Sequence, residues 1–583
     1  MQNLKQHLGA LLGSCLSKAA GIANSNANVI TASKPEFGDY QANGVMAIAK
    51  QLQTNPRELA QKVVELIDSV NDKLIERVEI AGPGFINIHL RNDALMAKAS
   101  MVLQQPNTLI PQSEQAVCIV VDYSSPNLAK EMHVGHLRGT IIGDCLARVL
   151  EKQGHEVIRQ NHVGDWGTQF GMLIAYLKEV MKAPDPGSDD LPTRLADLEV
   201  FYRAARKRFD SDSEFAETSR LSVVKLQGGE PEYLQIWQRF IDESLRHCQL
   251  VYDRLNVTLS NKDLKAESFY NDGLSGIVTA LEEKNLLTLS AGALCVFLPE
   301  FTGKDGDPLA VIIRKSDGAY LYATTDLAAV RYRCFDLNAD RSLYVVDARQ
   351  SLHFQQVFAV ARVAGLASDN ISLEHVTYGT MMGKDGKPFQ TRSGDTIKLI
   401  ELLNEACRRA FELVSDKNPD LDEAARQAIA DTVGIAAVKY ADLSKNRTSD
   451  YIFDWSAMLS FEGNTAPYLL YAYARIKSIL SKQETALEQY SITSIDAREE
   501  RDLLLKNLQL PEVIEMVATD CYPNLLCNYL YELAGKFMRF YEACPILKAE
   551  LESRNSRLSL AALTAETLQQ GLDLLGIETL EKM

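Results

Sequence analysis

The run Ala116-Val117-Cys118-Ile119-Val120-Val121-Asp122-Tyr123 constrains the fold more than any other stretch of this chain. A continuous β-branched run suits a strand buried on both faces, hence a parallel sheet with helices on each side. The residues after it agree. Leu137, Ile141, Ile142, Leu146, Val149 and Leu150 recur at helical spacing, which predicts a helix over Leu137–Lys152 with Gly154 as its stop. Val157-Ile158-Arg159-Gln160 reads as the next strand and completes a βαβ unit.

With 583 residues, the chain has room for about four domains and needs no disulfide or metal staple. Residues 1–111 read as a small α+β unit. It has a helix over Leu4–Ala20, and Phe85-Ile86-Asn87-Ile88-His89-Leu90 alternates as a half-buried strand does. Residues 112–400 carry the α/β pattern, interrupted over about 171–300 by a charged, helix-rich insertion. Strand-like runs resume at Ala310-Val311-Ile312-Ile313-Arg314 and Leu343-Tyr344-Val345-Val346-Asp347. From 401 to 460 and from 461 to 583 the pattern is helical, with no strand run of comparable strength. The fold class expected is thus α/β: a Rossmann-like parallel sheet with a helical insertion, a small α+β N-terminal domain and an all-α C-terminal bundle.

Composition excludes several classes. Apolar residues at 46% and charged residues at 24% are ordinary for a globular chain, so disorder and low complexity are ruled out. The longest apolar runs are too short to cross a bilayer. The opening Met1-Gln2-Asn3-Leu4-Lys5-Gln6-His7 lacks a basic region followed by a long apolar core, so a cytoplasmic protein is expected. A net charge of −16 argues against indiscriminate coating of nucleic acid, yet permits a shape-selected RNA held by local basic patches. Ten scattered cysteines without a Cys-x-x-Cys pair offer no zinc ribbon or redox dithiol, so reduced, buried thiols are expected.

The chemistry concentrates in Ser125-Pro126-Asn127-Leu128-Ala129-Lys130-Glu131-Met132-His133-Val134-Gly135-His136. This segment leaves the carboxyl end of a parallel strand, where open α/β sheets bind ligands. It enters a helix whose N-terminal N–H groups suit phosphate. Gly135 removes a side chain where a nucleotide would approach closely. His133 and His136, three apart, would share a helical face and donate to phosphate oxygens. A capping or surface role is the bland alternative for two such histidines.

His-x-Gly-His opening a helix after a buried strand resembles the class I aminoacyl-tRNA synthetases and related nucleotidylyltransferases. The longer Ser125 to His136 motif is similar to the arginyl-tRNA synthetase family. So are Asn161-His162-Val163-Gly164-Asp165-Trp166-Gly167-Thr168-Gln169-Phe170-Gly171, Tyr320-Leu321-Tyr322-Ala323-Thr324-Thr325-Asp326 and Asp347-Ala348-Arg349-Gln350. Near the end, Tyr531-Glu532-Leu533-Ala534-Gly535 and Phe540-Tyr541-Glu542-Ala543-Cys544-Pro545 also match. The resemblance implies an ATP-dependent ligase that forms arginyl-adenylate and passes the arginine to the 3′ end of tRNA(Arg). It also implies dependence of the first step on tRNA, Mg2+ travelling with ATP, no structural metal, and a monomer acting without DNA or membrane. Alternatives are another class I synthetase or adenylate-forming ligase, or a non-catalytic tRNA-binding relative.

A guanidinium needs a planar bidentate acceptor, and a carboxylate is the natural one. Asp122 and Asp326 fit on position, and the resemblance adds Ser124, Asn127, Tyr322 and Gln350 to an arginine pocket. Asp326 could instead cap a helix over 327–333, and Tyr322 could be core. His133, Gly135 and His136 are the expected ATP contacts, with His133, His136 and Lys130 catalytic.

The family's second, lysine-rich loop is degenerate here: Met381-Met382-Gly383-Lys384-Asp385-Gly386-Lys387-Pro388-Phe389-Gln390-Thr391-Arg392-Ser393-Gly394. Stabilising a departing pyrophosphate needs a cation at the site and not at one chain position. Lys130 is therefore expected to substitute, with Lys384, Lys387 and Arg392 as helpers on ATP. A plain glycine-rich hairpin is the alternative. A kinase-like phosphate loop is excluded, since Pro388 stands where a magnesium-binding hydroxyl should be.

For RNA, the resemblance points to an N-terminal tRNA-contacting domain in which Phe85 would stack an unpaired base and Asn87 read its edge. The residues alone equally allow Phe85 as strand core and Asn87 as its solvated neighbour. The 461–583 bundle resembles an anticodon-binding domain, with Tyr468, Tyr471, Tyr473, Arg475 and Lys477 near its start.

Overall fold

The computed structural model describes residues 2–167, 169–182, 198–389, 397–483 and 489–583, which pack as two units. The first joins Met1–Ser113 to Ser460–Asp573 and Glu578–Met583; the second holds Glu114–Leu459 with Leu574–Ile577.

The first unit opens with α1 (Leu4–Ala20), capped by Asn3 through a reciprocal pair with Gln6. Its stripe Leu4, Leu8, Leu12, Cys15 and Leu16 is buried. The strands β1 (Val29–Thr31), β2 (Tyr40–Ala42), β3 (Ile75–Ala81) and β4 (Phe85–Leu90) form an antiparallel sheet in the order β1-β2-β4-β3. Because β4 is central, Ile86, Asn87 and Ile88 are buried in succession, and the expected alternation is lost. Helices α2 (Gly44–Leu52), α3 (Pro56–Val70) and α4 (Asn92–Gln104) complete this half.

The second unit is built on β5 (Cys118–Asp122). The helix α5 (Leu137–Lys152) leads from it to β6 (Glu156–Gln160). The insertion follows as α6 (Gln169–Lys182), α7 (Leu198–Ser211), α8 (Ser213–Gln227), α9 (Pro231–Arg254) and α10 (Leu274–Glu283). It ends in three strands, β7 (Leu287–Ser290), β8 (Ala293–Thr302) and β9 (Pro308–Arg314), which pair antiparallel. The run at Ala310 therefore belongs to a separate small sheet and not to the parallel one. After α11 (Tyr322–Arg331) come β10 (Arg341–Tyr344), α12 (Ser351–Val363) and β11 (Ser372–His375). The parallel sheet has the order β11-β10-β5-β6. Its direction of growth reverses between β10 and β5, the switch point where such sheets open a ligand crevice beyond their carboxyl ends.

Past residue 400, α13 (Leu399–Lys417) and α14 (Glu423–Leu443) flank the sheet unit. One short strand departs from the helical expectation for 401–460: β13 (Tyr451–Ile452) pairs parallel with β12 (Met381–Met382) of the preceding α/β region. Arg138 of α5 pairs with Asp442 of α14 at 3.1 Å, both fully buried, fixing the first helix of the fold against the helical connection.

The first unit resumes with α15 (Ala466–Ser481), α16 (Arg498–Leu508), α17 (Leu510–Asp520), α18 (Asn524–Ala543) and α19 (Leu551–Leu574). Arg501 grips Asp39 with two bonds of 2.7 and 2.8 Å, and Asn3 donates to Glu515 at 2.9 Å, so the N-terminal elements and these helices share one unit. From the last residue of α19 onward, Leu574–Ile577 pack in the second unit. There the Gly576 carbonyl accepts from the buried Lys439 ammonium at 2.7 Å, and Gly576 itself is left-handed at φ 65.

Candidate functional site

The loop after β5 carries two consecutive left-handed residues, Ser124 (φ 70) and Ser125 (φ 47). Such residues cost on the order of 1–3 kcal/mol each and persist only where neighbours over-determine them. The neighbours are present. Ser124 Oγ lies 2.8 Å from Tyr252 Oη and accepts from Thr140 at 2.9 Å. The Ser125 hydroxyl donates to Asp122 at 3.1 Å, and its N–H donates to Asn161 at 3.0 Å.

Next, His133 caps a single tight turn, Val134–His136, that feeds α5. The two histidines do not share a helix face. They stand at either end of this turn with ring centroids 4.0 Å apart. His133 Nδ1 accepts from the Gly135 N–H and His136 Nδ1 from the His133 N–H, both at 3.1 Å. Each neutral ring therefore carries its proton on Nε2, leaving one N–H donor apiece. Burial, then the neighbouring His133, holds His136 down to about 3, and burial, then Lys130, lowers His133. Both are neutral donors near pH 7. A Cβ on Gly135 would stand 2.8 Å from the His133 ring, so the glycine makes room for that ring. Residues beyond the second loop strap the turn: Val134 N–H donates to Ile397 and Leu399 N–H to Met132.

The expected cations lie around this turn in different states. Lys130 is exposed, with its ammonium 4.3 Å from the Tyr202 ring centroid. It lines a cavity of about 550 Å³ with Arg203, Arg206 and Lys207 of α7. Lys384 is paired with Asp454 at 2.7 Å, and Lys387 is exposed on a turn closed by Gly383 N–H to Lys387 O at 2.7 Å. Arg392 lies outside the described residues.

Of the two acids singled out for a guanidinium, Asp122 is committed elsewhere. Its carboxylate accepts from the fully buried Arg333 at 2.7 Å as well as from Ser125. Arg333 was not foreseen as its partner. Asp326 is not a helix cap, because α11 already starts at Tyr322. It lies on that helix, accepts from His353 Nε2 at 2.6 Å and faces His162 at 3.8 Å. Glu267, missed by sequence reasoning, joins this cluster. Burial raises its pKa, His162 opposes that, and Asp165 and Asp326 add to it. Tyr322 is 62% exposed, so it is not core, and its ring is 4.9 Å from that of His353. Asn127 is exposed and accepts from Gln169 at 3.0 Å, while Gln350 is exposed in the turn before α12. His353 lies three residues past the Asp347–Gln350 motif, and that proximity was its one signal; Glu267 had none.

In the first unit, Phe85 is half-buried, whereas Asn87 is 3% exposed with its side-chain oxygen held by Gln41 at 2.7 Å. Asn87 is thus neither the solvated neighbour nor free to read a base edge. On α15, Tyr473 is core, while Tyr471 is exposed and Arg475 lies 4.5 Å from the Tyr541 ring.

Comparisons with known proteins agree along the whole chain. The family described as tRNA synthetases class I (R), catalytic domain, matches residues 98–455. The arginyl tRNA synthetase N terminal domain matches 3–90, and the DALR anticodon binding domain matches 469–583. The chain is 56% identical to the arginine–tRNA ligase of Laribacter hongkongensis over 97% of both chains. It is 54% identical to that of Hahella chejuensis over 100% of both. Among solved structures, it is similar to the arginyl-tRNA synthetase of Plasmodium falciparum (TM-score 0.84, 29% identity) and to that of Thermus thermophilus (0.83, 26%), each covered in full.

Proposed function

The chain belongs to the class I arginyl-tRNA synthetases, and from that premise we propose how its residues divide the work. It joins L-arginine to tRNA using ATP. In our reading the arginine carboxylate attacks the α-phosphate of ATP, pyrophosphate leaves, and the terminal ribose hydroxyl of tRNA(Arg) takes the arginyl group from the adenylate. Positioning and charge stabilisation supply the catalysis, with no covalent nucleophile.

His133 and His136 donate through Nε2–H to phosphate oxygens while remaining neutral, so the positive charge must come from Lys130, with Lys387 and Arg392 as helpers. Lys384 contributes only after leaving Asp454. Asp326 and Glu267 clasp the guanidinium, and Tyr322 closes over it. Ser124, Asn127 and Gln350 receive the amino acid's head group, and Asp122 acts from beneath. Among the described residues no group of three or more His, Cys, Asp or Glu side chains could hold a metal ion. Mg2+ would travel with ATP, and no step here is assigned to it. Phe85 and the exposed Tyr471–Arg475–Tyr541 face would meet tRNA. We read the protein as a cytoplasmic monomer.

The observation that carries this reading is the clustering of Glu267, Asp326, His162 and His353 at the carboxyl end of β6, bonded through Asn161 to the loop that leads into the histidine turn. Charging of bulk tRNA with each of the twenty amino acids tests it: arginine alone should be incorporated. ATP–pyrophosphate exchange should need tRNA, and robust exchange without RNA would overturn that dependence.

A further inference from the structure

Tyr344, Asp122 and Gln160 sit side by side on the last rung of the parallel sheet, paired in register across β10, β5 and β6. In-register neighbours on adjacent strands project to the same face. One guanidinium spans all three. Arg333 Nη2 donates to Asp122 and Nε to Gln160, each at 2.7 Å, and the guanidinium carbon lies 4.5 Å from the Tyr344 ring centroid. Arg333 is 0% exposed and arrives from a π-helical turn, Tyr332–Asp336, that directly extends α11. Local widening of this kind is frequent where a helix must aim a side chain at a functional site.

Stability does not account for this arrangement. A buried ion pair costs much desolvation and can often be replaced by apolar residues without loss. The pair does, however, lead straight into the strained loop. The Asp122 oxygen not held by Arg333 accepts the Ser125 hydroxyl, and Ser125 with Ser124 forms the left-handed step before Asn127. A carboxylate held by a fork-shaped cation is a better-oriented acceptor than one free to rotate. The same helical run supplies Tyr322 and Asp326, so the pocket's acid and the loop's anchor are carried by one element.

We propose that Arg333 is a positioning residue for arginine activation: it fixes Asp122, and through Ser125 sets the loop that presents Ser124 and Asn127 to the amino acid. It touches no reacting atom. The proposal rests on the pocket assignment above, and its test keeps the two apart.

The experiment measures arginine and ATP KM separately in tRNA-dependent ATP–pyrophosphate exchange, with circular dichroism confirming folding. Arg333→Gln should raise the arginine KM about tenfold or more and leave the ATP KM within about threefold, while Arg333→Lys, which keeps the charge but cannot span Asp122 and Gln160 together, should recover only part of the loss. If Arg333→Gln fails to fold, Ser125→Ala, which cuts the link from Asp122 to the loop and leaves the buried pair intact, takes its place and should show the same split. An arginine KM unchanged in a folded variant, or both KM values raised together, overturns the positioning role. Asp326→Asn run alongside separates the causes: normal arginine KM there defeats the pocket assignment, whereas a raised one beside unaffected Arg333 variants defeats only the role of Arg333.

Discussion

Tyr40 donates its phenolic hydrogen to the carboxyl of Glu512 at 2.5 Å, in a place where both side chains are buried. Burial lifts Glu512 to about 7, against the lowering effects of the Tyr40 bond, the Lys5 N–H and the Lys5 charge; Glu515 lifts it further, and Lys98 also faces it. The folded state therefore holds a proton that the unfolded chain releases near pH 4.5. Stability from this site is complete below pH 4.5 and is lost as pH rises through 7, by about 3 kcal/mol in all. Glu512→Gln, which keeps the acceptor and removes the titration, should melt progressively higher relative to wild type between pH 5 and pH 8. Parallel melting curves across that range would refute it.

Asp326→Asn should weaken arginine binding about 30-fold or more, the loss expected when one partner of a desolvated charge pair becomes neutral. ATP binding should change little. Isothermal titration of each small molecule against folded variant decides the matter, and equal losses for both would remove Asp326 from the guanidinium site.

Gly135→Ala should leave the fold intact and displace the His133 ring, since the new Cβ would meet it at 2.8 Å. Misplacing one phosphate donor by about an ångström lowers turnover roughly 100-fold. Single-turnover adenylate formation should fall by that order while thermal stability barely moves.

Lys130→Ala should lower adenylate formation about 100- to 1,000-fold, the range seen on removing one preorganised electrostatic contact, with ATP affinity retained. Unchanged turnover would assign the departing pyrophosphate to another cation and leave Lys130 with its Tyr202 contact alone.

The parallel sheet and the histidine turn were legible because both are written locally: a β-branched run, a helical period, and a glycine between two histidines. The acids proposed for the pocket were harder to read. Asp122 looks free until Arg333, 211 residues downstream, is folded against it. Glu267 has no motif of its own and gains meaning only beside His162 and Asp326. Ala310 to Arg314 has a strand's composition, but composition cannot say which partner it will choose, and β8 claims it antiparallel. Asn87 alternates correctly in sequence, yet its central strand buries both it and its neighbours. For Asp122, Glu267 and Asn87 the missing information was a contact made far along the chain; for Ala310 to Arg314 it was the choice of its hairpin neighbour over the parallel sheet.

The seating of Gly576 against Lys439 makes the segment Leu574–Ile577 a structural member of the second unit. Truncation before residue 574 would strip an ammonium sealed from water of one of its oxygen acceptors, and such a charge is expensive to strand. Affinity handles or fusion partners should therefore not interrupt residues 574–577, where the Gly576 carbonyl sits.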